Sequence, residues 1–201
     1  NGDTADGASD YGACIEQLYG LSDYLVVNLP SPNTPGLRGL QARAPIEDLL
    51  RRVLLARKRA AVDPERPPPL LAKVGPDLSS DQLRDIAEAA LGTGVDGLIV
   101  GNTTIERPPT LRSPEKAEAG GLSGAPLMTA STACLAEMYR LTKGRLPLIG
   151  CGGVASGADA YAKIRAGASL VQVYSALVFE GPDLVRRIKR ELPGVLTSLG
   201  V

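Results

Sequence analysis

Four polar groups along the chain each follow the end of an apolar run, and each has a chemistry its residue types suit. The first follows the run at 25–27, where Asn28, Ser31, Asn33 and Thr34 are interleaved with Pro30, Pro32 and Pro35. Each proline fixes its own φ and pushes the residue before it out of the helical region, so Leu29, Ser31 and Thr34 are held extended. Hydroxyl and carboxamide groups on so stiff a frame suit the orientation of a flat, polar ligand; a proline-rich loop leaving a strand is the structural alternative. The second is Lys73, near the end of LLAKV. A lysine at the end of a buried strand is costly unless an anion or a partner meets it. It reads as a structural ion pair, a Schiff-base lysine, or a cation facing a cofactor that becomes negative. The third, Asn102-Thr103-Thr104 after LIVG, suits hydrogen bonding to a heterocycle better than acid–base work, with loop capping as the alternative. The fourth is a pair of small-residue turns, GGLSG at 120–124 and GCGG at 150–153, whose backbone N–H groups can approach phosphate oxygens closely. Cys151, inside the second turn, reads as a small packed residue.

The elements that position these groups alternate. Apolar runs at 24–28, 70–74, 97–101, 146–150 and 169–174 show no in/out alternation, as expected of strands buried on both faces. Between them lie helical patterns: from Pro45 to about Arg59, from a cap at Ser79 or Ser80 to a stop at Gly92 and Gly94, from about Ser131 to Thr142, and from Ser156 to Gly167. A last helix starts at Pro182 and turns Leu184, Val185, Ile188 and Leu192 inward. The opening NGDTADGASD reads as a loop entered midway, and the charged stretch 106–119 as a mobile flap or a surface excursion. Alternating β and α units with buried strands imply a parallel α/β sheet. The polar groups gather at strand ends, where a (β/α)8 barrel places its active site. The G-x-G-x-x-G turn of a Rossmann sheet is absent. A barrel is therefore favoured, with five strands visible. If the last of them is the barrel's eighth, Gly152, Gly153, Tyr174 and Ser175 fall at the usual phosphate site.

Composition narrows the chemistry. The chain has 201 residues, 44% of them hydrophobic, enough for one domain with a sizeable core. Lys plus Arg and Asp plus Glu are equal at 22 each, and aromatics make up only 3%, so no nucleic-acid partner is expected. There is no histidine, which excludes Ser-His-Asp and Cys-His catalysis and histidine metal sites within the chain; no metal site is expected. Cys14, Cys134 and Cys151 are odd in number and far apart, and read as free thiols of a reducing compartment. No targeting segment or spanning apolar run is visible.

In combination, NLPSPNTPGLRGLQ, LLAKVGPDLS, DGLIVGNTTIERP, GGLSGAPL, PLIGCGGVASGADAYAKIRAGASLVQVYSAL and FEGP resemble the blocks of the dihydroorotate dehydrogenases, in their proper order. The resemblance is to the class 2, quinone-linked branch and spans almost the whole chain. It implies a (β/α)8 TIM barrel, of which this chain supplies about strands 4–8, holding FMN at its C-terminal mouth. It implies oxidation of dihydroorotate to orotate, hydride transfer from C6 to FMN N5, and ubiquinone as acceptor. Ser31 corresponds to the base that removes the C5 proton, with Thr34 and an ordered water as relay. A serine is a poor base at its ordinary pKa and needs such a relay. Class 1 relatives carry cysteine there. Asn28, Asn33, Asn102 and Thr103 match substrate-binding positions. Asn28, Lys73 and Gly101 match flavin-side positions, and Ser123, Gly124, Cys151, Gly152, Gly153, Tyr174 and Ser175 the phosphate-side region.

Two departures stand out: Gly101 replaces a common threonine, and Pro30 a frequent serine. The resemblance covers the family's latter half. Residues 1–201 are thus expected to be the C-terminal part of a single FMN-binding barrel domain, without its first strands and without the small helical domain that meets the membrane. The implied location is the mitochondrial inner membrane in a eukaryote, or the cytoplasmic membrane, peripherally, in a bacterium. The alternatives are a class 1 enzyme using fumarate or NAD, a flavin-free aldolase-like barrel with Lys73 as Schiff-base residue, and an inactive scaffold fragment.

Overall fold

The apolar runs assemble into one parallel sheet whose spatial order is its chain order: β1 (Leu25–Asn28), β2 (Leu70–Val74), β3 (Gly97–Val100), β4 (Leu148–Cys151) and β5 (Leu170–Gln172). The computed structural model describes residues 7–29, 43–61 and 66–198. The predicted site residues Ser31, Asn33 and Thr34, and Pro30 with them, lie outside these. A doubly wound sheet reverses its strand order at a switch point. No reversal occurs among β1–β5, and the sheet is the arc of a (β/α)8 barrel.

Seven helices accompany the sheet among the described residues: α1 (Gly7–Leu18), α2 (Arg43–Arg59), α3 (Ser80–Thr93), α4 (Met128–Thr142), α5 (Gly157–Arg165), α6 (Ser175–Glu180) and α7 (Leu184–Ser198). The alternation of side chains along each strand divides the core into two layers. Leu70, Ala72 and Val74 of β2, Leu98 and Val100 of β3 and Leu148 of β4 join the large cluster that also holds Leu50 and Val53 of α2, Ile86 of α3 and Met138 of α4. Leu71, Ile99 and Ile149 point the other way and pack together with Cys151. This second face is the barrel's interior. It becomes polar toward the strand ends, where Asn28 stands opposite Lys73 in register, and Cys151 opposite Gln172.

Two helices start where the sequence puts them, one at Ser79 or Ser80 and one near Ser156. Ser79 caps α3 in a full capping box with Gln82, a motif worth about 1 kcal/mol. Ser156 caps α5, accepting from Asp159 N. Other expectations need correction. The opening stretch is not loop from Gly7 on: α1 forms there and lays Ala8 and Ile15 against the core. Gly92 does not stop α3, which runs to Thr93 and ends on Gly94 in the left-handed region. α4 begins at Met128, nearly one turn before Ser131. Val185 of α7 is 46% exposed rather than inward, while Leu184 and Ile188 are buried.

Candidate active site

At the C-terminal ends of the strands a cavity of about 440 Å³ opens. Of the predicted residues, Lys73, Gly101, Asn102, Thr103, Ser123, Gly124, Cys151, Gly152, Gly153, Tyr174 and Ser175 all line it. They come from the ends of β2, β3, β4 and β5 and from the loop before α4, which places segments a hundred residues apart around one space.

Lys73 projects from β2 into the interior layer, half-buried. Its ammonium has no ion pair or hydrogen bond with any described residue, so no structural ion pair accounts for it among them. Asn28 lies across the β1–β2 ladder, and its side-chain Oδ1 accepts from Asn102 Nδ2 at 3.1 Å. The Asn102 Oδ1 accepts in turn from Thr103 N at 2.8 Å. Two carboxamides from strands that are not neighbours in the sheet are thereby oriented relative to each other. The hydroxyl of Tyr11 on α1 donates to the Asn28 carbonyl at 2.9 Å, and burial pushes that phenol above its usual range. The helix that the sequence hid therefore steadies Asn28, which does not itself line the cavity.

Gly101 has φ of +137°, and a Cβ built there would stand 2.2 Å from the Cys151 carbonyl oxygen. The departure from threonine is thus more than a lost hydrogen bond: the β3 exit crosses the β4 exit too closely for any side chain. On the far side of the cavity, the hydroxyls of Ser123 and Ser175 share a hydrogen bond of 2.8 Å. Gly153 has φ of +83° and lies against the first residue of α4, with a hypothetical Cβ only 2.6 Å from Met128 N and Cα. Its amide donates to no acceptor among the described residues, although it lines the cavity. An N–H left unpaired beside a cavity is the kind of group that meets an anion.

The excursion from 105 to 121 is tied at its base. Thr104 and Leu122 pair through two backbone hydrogen bonds of 3.0 and 2.7 Å. Asp77 accepts from the Thr104 hydroxyl and from Ile105 N. The Arg107 guanidinium donates to the carbonyls of Ile105, Glu118 and Gly120 at 2.8–3.0 Å. These contacts hold Thr103, which packs under Gly121. Of the two readings of this stretch, the strapped surface excursion describes its base. Asp77 and Arg107 escaped the sequence reading, because a lone charge gives no sign of which distant carbonyl or hydroxyl it will meet. Gln172, another cavity residue, was detectable in principle as the interior-facing polar residue of β5.

Comparisons with known proteins agree with this architecture. The family model described as dihydroorotate dehydrogenase matches residues 1–196. A dihydroorotate dehydrogenase (quinone) of Xanthobacter autotrophicus is 58% identical over 200 residues, which are 100% of this chain and 56% of that protein. A mitochondrial dihydroorotate dehydrogenase (quinone) of Oryza sativa subsp. japonica is 53% identical over 97% of this chain and 42% of its own length. The crystal structure of DHODH in complex with ferulenol from Eimeria tenella superposes with a TM-score of 0.92 at 42% identity, covering 100% of this chain and 57% of that one. The chain spans about half the length of the curated relatives it matches.

Proposed function

The chain belongs to the dihydroorotate dehydrogenase family, and from that premise we propose that the polypeptide carrying it oxidises dihydroorotate to orotate in pyrimidine biosynthesis, with FMN as resident cofactor and ubiquinone as acceptor. The observation that carries this reading is the meeting of Lys73, Asn102, Thr103 and the two glycine turns on one cavity. Its volume, about 440 Å³, lies within the range of small-molecule sites.

The residues fit the cofactor. The unpaired Gly153 amide and the Ser123–Ser175 hydroxyl pair suit phosphate oxygens. The unpaired Lys73 ammonium suits the N1–O2 side of a ring that becomes negative. When bound, FMN supplies the acceptor for the hydride leaving C6 and passes two electrons onward. Ser31 takes the C5 proton as the C5–C6 double bond forms, and Thr34 with an ordered water exports it. Asn28, Asn33, Asn102 and Thr103 hold the pyrimidine ring and its carboxylate. Asn102 spends one amide hydrogen on Asn28 Oδ1, which leaves the Asn28 amide hydrogens for the ligand.

Ser31, rather than cysteine, and relatives named as quinone enzymes support ubiquinone over fumarate or NAD. Ubiquinone is a membrane lipid, so the enzyme works at a quinone-bearing membrane, the cytoplasmic one in a bacterium or the inner mitochondrial one in a eukaryote. No helix among the described residues is long and apolar enough to cross a membrane, and we assign the membrane contact to a helical domain outside these 201 residues. The test is a comparison of acceptors. After anaerobic reduction by dihydroorotate, a ubiquinone analogue restores the oxidised flavin spectrum within the turnover time, whereas fumarate and NAD do not. Reoxidation by fumarate or NAD alone would sink the quinone assignment.

A further inference from the structure

Lys163 of α5 is fully buried, the largest side chain among the described residues with essentially no exposed surface. Its stem crosses β4 at Gly150, where a Cβ would approach Lys163 Cβ and Cδ to 3.1 and 3.2 Å. The ammonium then donates to Ser131 Oγ at 2.6 Å. Ser131, also fully buried, lies 2.7 Å from the Leu127 carbonyl and 3.0 Å from the Gly152 carbonyl, with the Met128 carbonyl farther off at 3.4 Å, so its single hydroxyl hydrogen is shared chiefly between the first two. Both carbonyls belong to residues that line the cavity.

Among the described residues the ammonium has no carboxylate partner. Three titratable groups act on it: Cys151 of β4, Cys134 of α4 and Asp159 of its own helix. Burial pushes the Cys134 thiol up to about 11, so it is neutral near pH 7. The Asp159 carboxylate is held by Ala155 N at 3.1 Å and the Ser156 hydroxyl at 2.8 Å. α7 brings Arg187 and Glu191 only to the start of α5, onto Ala155 O and Gly157 N. A buried cation with no paired charge needs an anion from elsewhere.

The geometry of the Gly152–Gly153 peptide shows where. In a trans peptide the C=O and the following N–H point in opposite directions, and among the described residues there is no cis bond. With the Gly152 carbonyl drawn down to Ser131, the Gly153 N–H is turned away from Ser131, and it is the amide without an acceptor. We infer that Lys163 is a positioning residue for the cofactor phosphate: through Ser131 it locks the Gly152–Gly153 peptide with its N–H toward the cavity, and its own charge is balanced by the phosphate that this amide meets. The inference rests on the FMN reading above.

Burial lowers the Lys163 ammonium to about 8 from an ordinary value of 10.5. A lysine so lowered holds fewer protons in the folded than in the unfolded state between those values. The flavin-free protein therefore gains stability as pH rises through that window. Phosphate binding needs the charged form, so affinity for it falls over the same interval. The two effects have opposite signs, which separates a positioning role from a merely structural one.

The experiment compares FMN with riboflavin, which lacks the phosphate, by flavin fluorescence on the flavin-stripped natural polypeptide. The wild type prefers FMN at pH 7, and that preference shrinks by about tenfold by pH 9.5. Lys163→Met cuts the preference by about tenfold or more, leaves riboflavin affinity unchanged and removes the pH dependence; Ser131→Ala gives the same loss of preference. If Lys163→Met does not fold, Ser131→Ala and the wild-type pH series decide the matter. A preference that is flat with pH, or that survives both substitutions, overturns the assignment of Lys163. A wild-type protein that binds neither flavin contradicts the FMN reading instead.

Discussion

Replacing Ser31 with alanine lowers the rate at which dihydroorotate bleaches the bound flavin by about 10²–10⁴-fold, the usual contribution of a positioned general base. Ser31 follows Asn28, the last residue of β1, by three positions, and prolines on either side leave its backbone few conformations. The hydroxyl contributes nothing to holding FMN in this account, so the variant retains flavin at wild-type stoichiometry and loses only the proton transfer. Stopped-flow absorbance under anaerobic conditions reads the two separately. An unchanged rate in the variant removes Ser31 from the mechanism.

Gly153→Val is expected to lower FMN affinity by about a hundredfold or more. The left-handed conformation costs a residue with a Cβ about 1–2 kcal/mol by itself. In addition, the new Cβ would stand 2.6 Å from Met128 N and Cα, backbone atoms of α4 that cannot step aside. The turn must therefore rotate, and rotation carries the Gly153 N–H off the cavity. The cost of turning the peptide back against that clash, or else the loss of its charge-assisted hydrogen bond, accounts for about two decades. The main core cluster is built from other residues, so the far-ultraviolet circular dichroism remains that of the wild type. Flavin content after gel filtration, and titration of the stripped protein with FMN, measure the effect. A variant that keeps its flavin through gel filtration would show that this turn does not hold the cofactor.

What the sequence revealed and what it hid divide along physical lines. Buried parallel strands have no solvent face, so β2 appears as the unbroken run 70–74 and was bounded correctly. The starts of α3, at Ser79 or Ser80, and of α5, near Ser156, were legible because a capping side chain bonds backbone within its own first turn. α1 was hidden: only Ala8 and Ile15 of its twelve residues are buried, and glycines at 7 and 12 mask its period. α6 is six residues long, and its Val178 and Phe179 are 80% and 86% exposed, so it has neither the length nor the polar face of a recognisable helix. The cavity-lining residues were found because strand ends converge in any barrel of this kind. The Lys163–Ser131 contact spans 32 positions, and the Asn28–Asn102 contact 74, and no local pattern encodes such pairs. In the sequence Lys163 is one more charge in the last turn of a helix; only the fold shows that it points inward.

The central claim is that these strand ends form one side of a flavin site that oxidises dihydroorotate. The most direct measurement is an anaerobic titration of the purified natural polypeptide with dihydroorotate, followed in the flavin absorption band. The account predicts a flavin spectrum as isolated, bleached completely by one equivalent of dihydroorotate per flavin, with one equivalent of orotate formed. A protein that is colourless after FMN is supplied, or whose flavin band is untouched by excess dihydroorotate, would contradict it.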